Sequence, residues 1–146
     1  MTLDNLLGKS LEHIEPDELI IKRLLEAAQR NIQDAKLQAL SNENRFDAAY
    51  KAIMQMANAA LQASGYRTLT SSTGHHQTMI QSLPKTVDLD RETMIVLDTL
   101  RKQRNLSDYS GDPITESAVS ECLRQAEMLF DVLVKWFENI HPGLLE

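Results

Sequence analysis

Cysteine occurs once in the 146 residues, at Cys122, so no disulfide can form within the chain. No charged start followed by a short apolar run marks a secretory leader, and no apolar stretch approaches the roughly 18 residues of a membrane span. A cytoplasmic protein without membrane association is therefore expected. Aromatic residues make up only 5%, with five Gly and four Pro, while Leu, Ala, Gln, Glu and Met are plentiful. That balance disfavours sheet and favours helix. The four histidines include no i, i+4 pair and have no cysteine nearby, so neither a metal site nor a cofactor is expected. There is also no Gly-rich phosphate loop and no nucleophile-elbow signature. Excess positive charge is missing too: the net charge is −6, and from Asp112 onward seven acidic residues face two basic ones. Such a chain does not wrap nucleic acid broadly, although a small basic site stays open to it.

With 42% hydrophobic and 25% charged residues, the composition is that of an ordinary globular chain, and its length fits one domain. Residues 1–15 show little periodicity and read as an N-terminal extension with at most a turn of helix; residues 16–141 read as the bundle. Pro16, Asp17 and Glu18 open a first helix that runs at helical spacing to about Leu40. Asn42 or Asn44 caps a second, alanine-rich helix whose inner side carries Phe46, Tyr50, Ile53 and Leu61, and Gly65 ends it. The polar stretch Tyr66–Gly74 is expected as a surface loop. Thr73 then caps a short helix stopped by Pro84, with a linker from Lys85 to Leu89. Asp90 caps a fourth helix reaching Arg104 or Leu106, and Thr115 opens a long fifth one ended by His141-Pro142-Gly143. Four long helices and a short one predict an all-α protein, an antiparallel up-and-down bundle of four or five helices. Homodimerisation would cover any apolar face left open.

The fourth helix is unusual in its polarity. Met94, Leu97 and Leu100 form one stripe at about 100° per residue, and Arg101 and Arg104 extend that same stripe. Guanidiniums turned toward a core are costly unless an anion meets them, so a buried ion pair, an interface or an anion site is expected there. Favourable placement near a helix C-terminus, with the stems lying along apolar surface, accounts for such a pair equally well. His75 and His76 point in different directions on the short helix, yet either could contact an anion at its N-terminus.

Around Arg104-Asn105 and Asp108-Tyr109 the chain resembles the HEPN superfamily, small helical bundles whose active members are metal-independent ribonucleases and often toxins. Their motif is an Arg, then a polar residue that is frequently Asn, then a His four to six residues beyond the Arg. Arg104 and Asn105 match the first two positions; Tyr109 stands where the nearest histidine would fall, and Ser110 and Gly111 follow it. Phe46-Asp-Ala-Ala-Tyr50, the Gly65-Tyr66 helix end, the Gly74-His-His76 turn and the closing acidic helix extend the likeness from about Arg45 to Ile140. It resembles a divergent subgroup in which Asp-Tyr replaces the histidine.

The resemblance implies a dimer in which two Arg104-Asn105 sites face each other across a cleft. It further implies RNA or nucleotide as ligand, a toxin–antitoxin setting and a nucleotidyltransferase-type partner. Arg101, Arg104, Asn105, Tyr109, His75 and His76 are the candidate ligand-binding residues. Arg104, Asn105, Asp108 and Tyr109 are the only catalytic candidates. Tyrosine's unperturbed pKa of about 10 makes it a poor general base at neutral pH, so binding without efficient cleavage is expected. Two other readings remain: a helical interaction module with Arg104 bridged to the acidic last helix, and an active ribonuclease using Tyr109 and Asp108.

Overall fold

The structure is a computed structural model that describes residues 3–69 and 74–143. The apolar periodicities close into five helices: α1 (Glu18–Ala35), α2 (Asn42–Ala63), α3 (His75–Thr86), α4 (Arg91–Ser110) and α5 (Glu116–Ile140). This is the expected all-α bundle. Among the described residues, no helix is long and apolar enough to cross a membrane.

α2 is the centre. It packs against α1, α3 and α5 and also touches α4. Its alanines at 49, 52, 57, 59 and 60 are fully buried, and with no side chain beyond Cβ they let neighbouring helices approach closely. α1 runs antiparallel to α2: Arg45 at the start of α2 donates to the Ala35 carbonyl at 2.9 Å, and Asn31 further back donates to Gln55 at 2.8 Å. The first of these contacts explains why α1 stops at Ala35 rather than near Leu40. Arg45, itself 7% exposed, satisfies a terminal carbonyl and places positive charge at the negative end of the helix dipole. α5 sets out beside the beginning of α2, where the Ile114 N–H donates to Glu43 and Asn42 donates to the Ile114 carbonyl. Along α5, Val119, Cys122, Ala126, Leu129, Leu133 and Phe137 are buried, whereas Ile140 is exposed.

Capping is mostly local, and Asp90 and Thr115 are the anticipated caps; Asp17 caps α1 itself, which leaves Pro16 outside the first turn. Asp17, Asp90 and Thr115 each accept a backbone N–H at the start of a helix. α2 differs: Ser41, not Asn42 or Asn44, is the cap, because Asn42 is engaged with Ile114. α4 continues to Ser110 instead of ending near Leu106. Ser110 folds its hydroxyl onto the Leu106 carbonyl, and Gly111, at φ 71°, then supplies the left-handed residue that stops the helix. Pro84 does not stop α3 and Lys85 is not linker. Its ring removes one N–H but holds a helical φ, and the Val87 N–H still closes onto the Leu83 carbonyl. Gly74 occupies the N-cap of α3; Thr73, the expected cap, lies outside the described residues.

The N-terminal segment is more ordered than its weak periodicity suggested. A 3-10 turn (Leu3–Leu6) leads into β1 (Leu11–His13), which pairs antiparallel with β2 (Tyr66–Thr68) in the register Leu11↔Thr68. β2 occupies the start of the stretch expected as loop. Leu3, Leu11 and Leu61 form a small separate core under this ladder, tying the N-terminus to the end of α2. Strands of three residues are too short for alternation to reveal.

Candidate functional site

The two arginines on the α4 stripe have different fates. Arg101 Nε donates to Asp98 at 2.8 Å, with side chains only 16% and 19% exposed, and Lys102 joins the same carboxylate at 3.5 Å. Burial works against charge on Asp98, but Arg101 and then Lys102 outweigh it and hold its carboxyl below the usual carboxylate range. Arg101 is therefore committed to a short intrahelical pair. Arg104, one turn further on, lies 3.7 Å from Asp47 of α2 and 3.7 Å from Asp108 of its own helix. Both separations exceed hydrogen-bonding distance, so these carboxylates attract the guanidinium without engaging its fork of donors. Neither carboxylate belongs to α5, so the expected bridge to the acidic last helix is replaced by one to α2.

Arg104 closes one side of a 460 Å³ cleft lined also by Asp47, Tyr50, Lys51, Met54 and His76. Asp47, Tyr50, Lys51 and Met54 sit at i, i+3, i+4 and i+7 of α2 and so share one helical face. The guanidinium carbon stands 5.2 Å from the Tyr50 ring centroid, within cation–π reach. His76, in the first turn of α3, places Nδ1 2.9 Å from the Tyr50 hydroxyl. Three helices thus bring together an arginine, a histidine, a tyrosine and a carboxylate.

Their protonation states follow from burial and from Arg104. Burial pushes the Tyr50 hydroxyl up to about 12, with Arg104 partly opposing, so the phenol keeps its proton at neutral pH. Burial, and next the charge of Arg104, lowers the His76 pKa from its ordinary value and leaves the ring neutral. The neutral ring shares one hydrogen bond with Tyr50 at Nδ1, and its tautomer sets which of the two donates. Burial raises the Asp47 carboxyl while Arg104 draws it back down. The cleft therefore offers a guanidinium, of the type that holds an anionic oxygen, beside a neutral imidazole.

The other expected residues are spread out. Asn105 is half-buried on α4 and Asp108 is exposed; neither lines the cleft, though Asp108 reaches Arg104. Tyr109 is 90% exposed and lies roughly 140° around the helix from Arg104, so it turns away from the cleft. His75 also lies outside the cleft lining, and its Nε2 is buried without a hydrogen-bond partner. His76 and Arg104 come together; Tyr109 does not join them. Asp47, Tyr50 and Lys51 did not stand out in the sequence as site residues. Their signals were the Phe46-Asp-Ala-Ala-Tyr50 stretch within the family likeness and a charged pair flanking a tyrosine on an alanine-rich helix. Among the described residues, no three His, Cys, Asp or Glu side chains gather as a metal site would require.

Comparison with known proteins adds one positive finding. The HEPN domain family matches residues 21–137, from α1 almost to the end of α5. No curated protein and no solved structure matches the chain at a significant level.

Proposed function

The chain belongs to the HEPN domain family, and from that premise we propose that it is a cytoplasmic RNA- or nucleotide-binding protein that grips a phosphate at Arg104 and cleaves poorly or not at all. One observation carries this reading: Arg104 faces an open cleft with its donors unengaged by the carboxylates beside it, and the neutral imidazole of His76 lines the same cleft. The same geometry argues against efficient cleavage. Tyr109, in the motif-histidine position, faces elsewhere.

Dimerisation fits the outward side of α4, where Ile95, Leu106 and Tyr109 are all exposed at about half or more. On α4 these three fall within roughly 60° of one another and opposite Arg104, so a dimer formed there holds its two Arg104 clefts apart, unlike the shared cleft that the resemblance implied. A nucleotidyltransferase-type partner would compete with a second copy for this surface. The test is calorimetric titration with a dinucleoside monophosphate and a short oligo-RNA. Wild-type protein binds, and Arg104→Ala loses at least about tenfold in affinity, the cost of a charge-assisted contact. Absence of binding by wild-type protein overturns the reading.

Asp47 and Asp108 support a second reading, in which Arg104 is only a structural link between α2 and α4 and the protein is an interaction module. In that case Arg104→Ala lowers Tm markedly and affects no ligand. The long separations and partial exposure favour the first reading.

A further inference from the structure

The Arg104 cleft is not isolated. Lys51 lines it and also lines an 840 Å³ groove between α1 and α2; Arg30 lines that groove and also a 590 Å³ trough along α1 that reaches Arg23. Lys51 and Arg30 each stand on a wall between two of these depressions, which follow one another over the surface. Lys51, Arg30 and Arg23 are exposed and, among the described residues, none of them forms a salt bridge. Elsewhere Lys36, Arg67 and Arg124 each meet a carboxylate. In a chain of net charge −6, Lys51, Arg30 and Arg23 form a row of unbridged cations leading away from Arg104, interspersed with Glu26 and Asp34.

Between those cations the α1/α2 groove is walled by amides and carboxylates, among them Gln29, Gln33, Asp34 and Gln55. An all-phosphate track would exclude carboxylates. Amides and carboxylates together match the donor and acceptor edges of unpaired bases: amides bond adenine bidentately, and carboxylates accept from exocyclic amines. In an RNA duplex those edges lie in a deep, narrow groove that side chains cannot read, so this wall chemistry selects a single strand of RNA.

We propose that single-stranded RNA anchored by a phosphate at Arg104 continues past Lys51 into the α1/α2 groove, where side-chain amides and Asp34 contact its bases and Arg30 and Arg23 hold its backbone. This rests on the phosphate reading of the Arg104 cleft and extends it from a single phosphate to a strand with a direction. Arg23 and Arg30 lie seven residues apart on α1, roughly 10 Å along its axis, so the path exceeds what a dinucleotide can span.

The test compares a dinucleotide with an unstructured RNA decamer, using wild-type protein, the double variant Arg23→Gln/Arg30→Gln, and Arg104→Ala. The replaced side chains are exposed and make no salt bridge, so the double variant should melt like wild type. Wild-type protein should bind the decamer more tightly than the dinucleotide. The double variant should lose about tenfold for the decamer, with the slope of log affinity against log salt falling by about 1.4 as two single-strand phosphate contacts vanish. Dinucleotide binding should stay unchanged. Equal wild-type affinity for both lengths, an unaffected decamer in the double variant, or equally tight binding of a decamer duplex overturns the strand path while leaving the Arg104 cleft standing. If neither RNA binds wild-type protein, the cleft reading fails and the path fails with it.

Discussion

α2 and α4 are of similar length, 22 and 20 residues, yet α2 buries twelve side chains and α4 buries two, Leu97 and Leu100. The difference divides labour. α2 is enclosed by α1, α3 and α5, so its sequence answers to packing, and even its tyrosine is fixed by burial. α4 lies against the bundle along a narrow seam, so most of its residues are released from the core and can carry charge. The candidate site forms where the two meet, with α2 holding Asp47 and Tyr50 still and α4 presenting Arg104.

The largest expected effect tests that division directly. Phe46, 1% exposed on α2, should cost about 3–5 kcal/mol when replaced by Ala, lowering Tm by roughly 10 °C or more. Ile95→Ala on α4, where the side chain is 51% exposed, should leave the monomer's Tm nearly unchanged. Thermal unfolding followed by circular dichroism measures both. Comparable losses would mean that α4 is as deeply integrated as α2, and the division would collapse.

A finer contrast lies within α4. Arg101→Ala removes a short bond to a largely buried carboxylate and should destabilise by about 1–3 kcal/mol, with little effect on ligand. Arg104→Ala should do the reverse, costing under about 1 kcal/mol of stability because its carboxylates are distant and partly exposed, while abolishing phosphate binding. Melting curves and titrations on the two variants must therefore rank them in opposite orders. Identical rankings would show that one stripe of arginines serves one purpose.

That contrast also marks where sequence reasoning reaches its limit. Helix positions, the caps at Asp90 and Thr115, and the buried stripe of α5 were legible because each depends on residues within a turn or two. Family membership was legible through Arg104-Asn105 set in a helical frame, and the match over residues 21–137 bears it out. Spacing placed Arg101 and Arg104 on one stripe and also set Asp98 one turn before Arg101, within pairing reach; what it could not show is Asp47 reaching Arg104 from another helix. The end of α1 was misplaced for the same reason: Arg45 caps it from across the turn. Tyr50 was legible as a core residue. Its second role, orienting His76 beside Arg104, exists only once α2, α3 and α4 are assembled.

The smallest predicted effect concerns His76 and probes the meeting point of the helices most closely. Its pKa lies below the ordinary 6.5, first through burial and then through Arg104, with His75 and Arg101 adding to the repulsion. Around it stand Asp47, Tyr50 and Lys51 from α2 and Arg104 from α4. For folding the sign is clear: as pH falls through 6.5 the unfolded chain takes up a proton that the folded chain resists, so stability declines until the lower folded pKa is passed. For binding the sign reverses. A phosphodiester offsets the charge of Arg104 and attracts a second positive group, raising the His76 pKa, so binding takes up a proton and tightens as pH falls. A diester has no titration of its own near neutrality, and the carboxyl of Asp47, though raised, belongs to a more acidic range. Between pH 8 and 6 the affinity for a dinucleotide should therefore rise by a few fold in wild-type protein, bounded by about tenfold per pH unit for one proton. His76→Gln should flatten that rise. A slope that survives the substitution would remove His76 from the phosphate site and leave Arg104 to hold the anion alone.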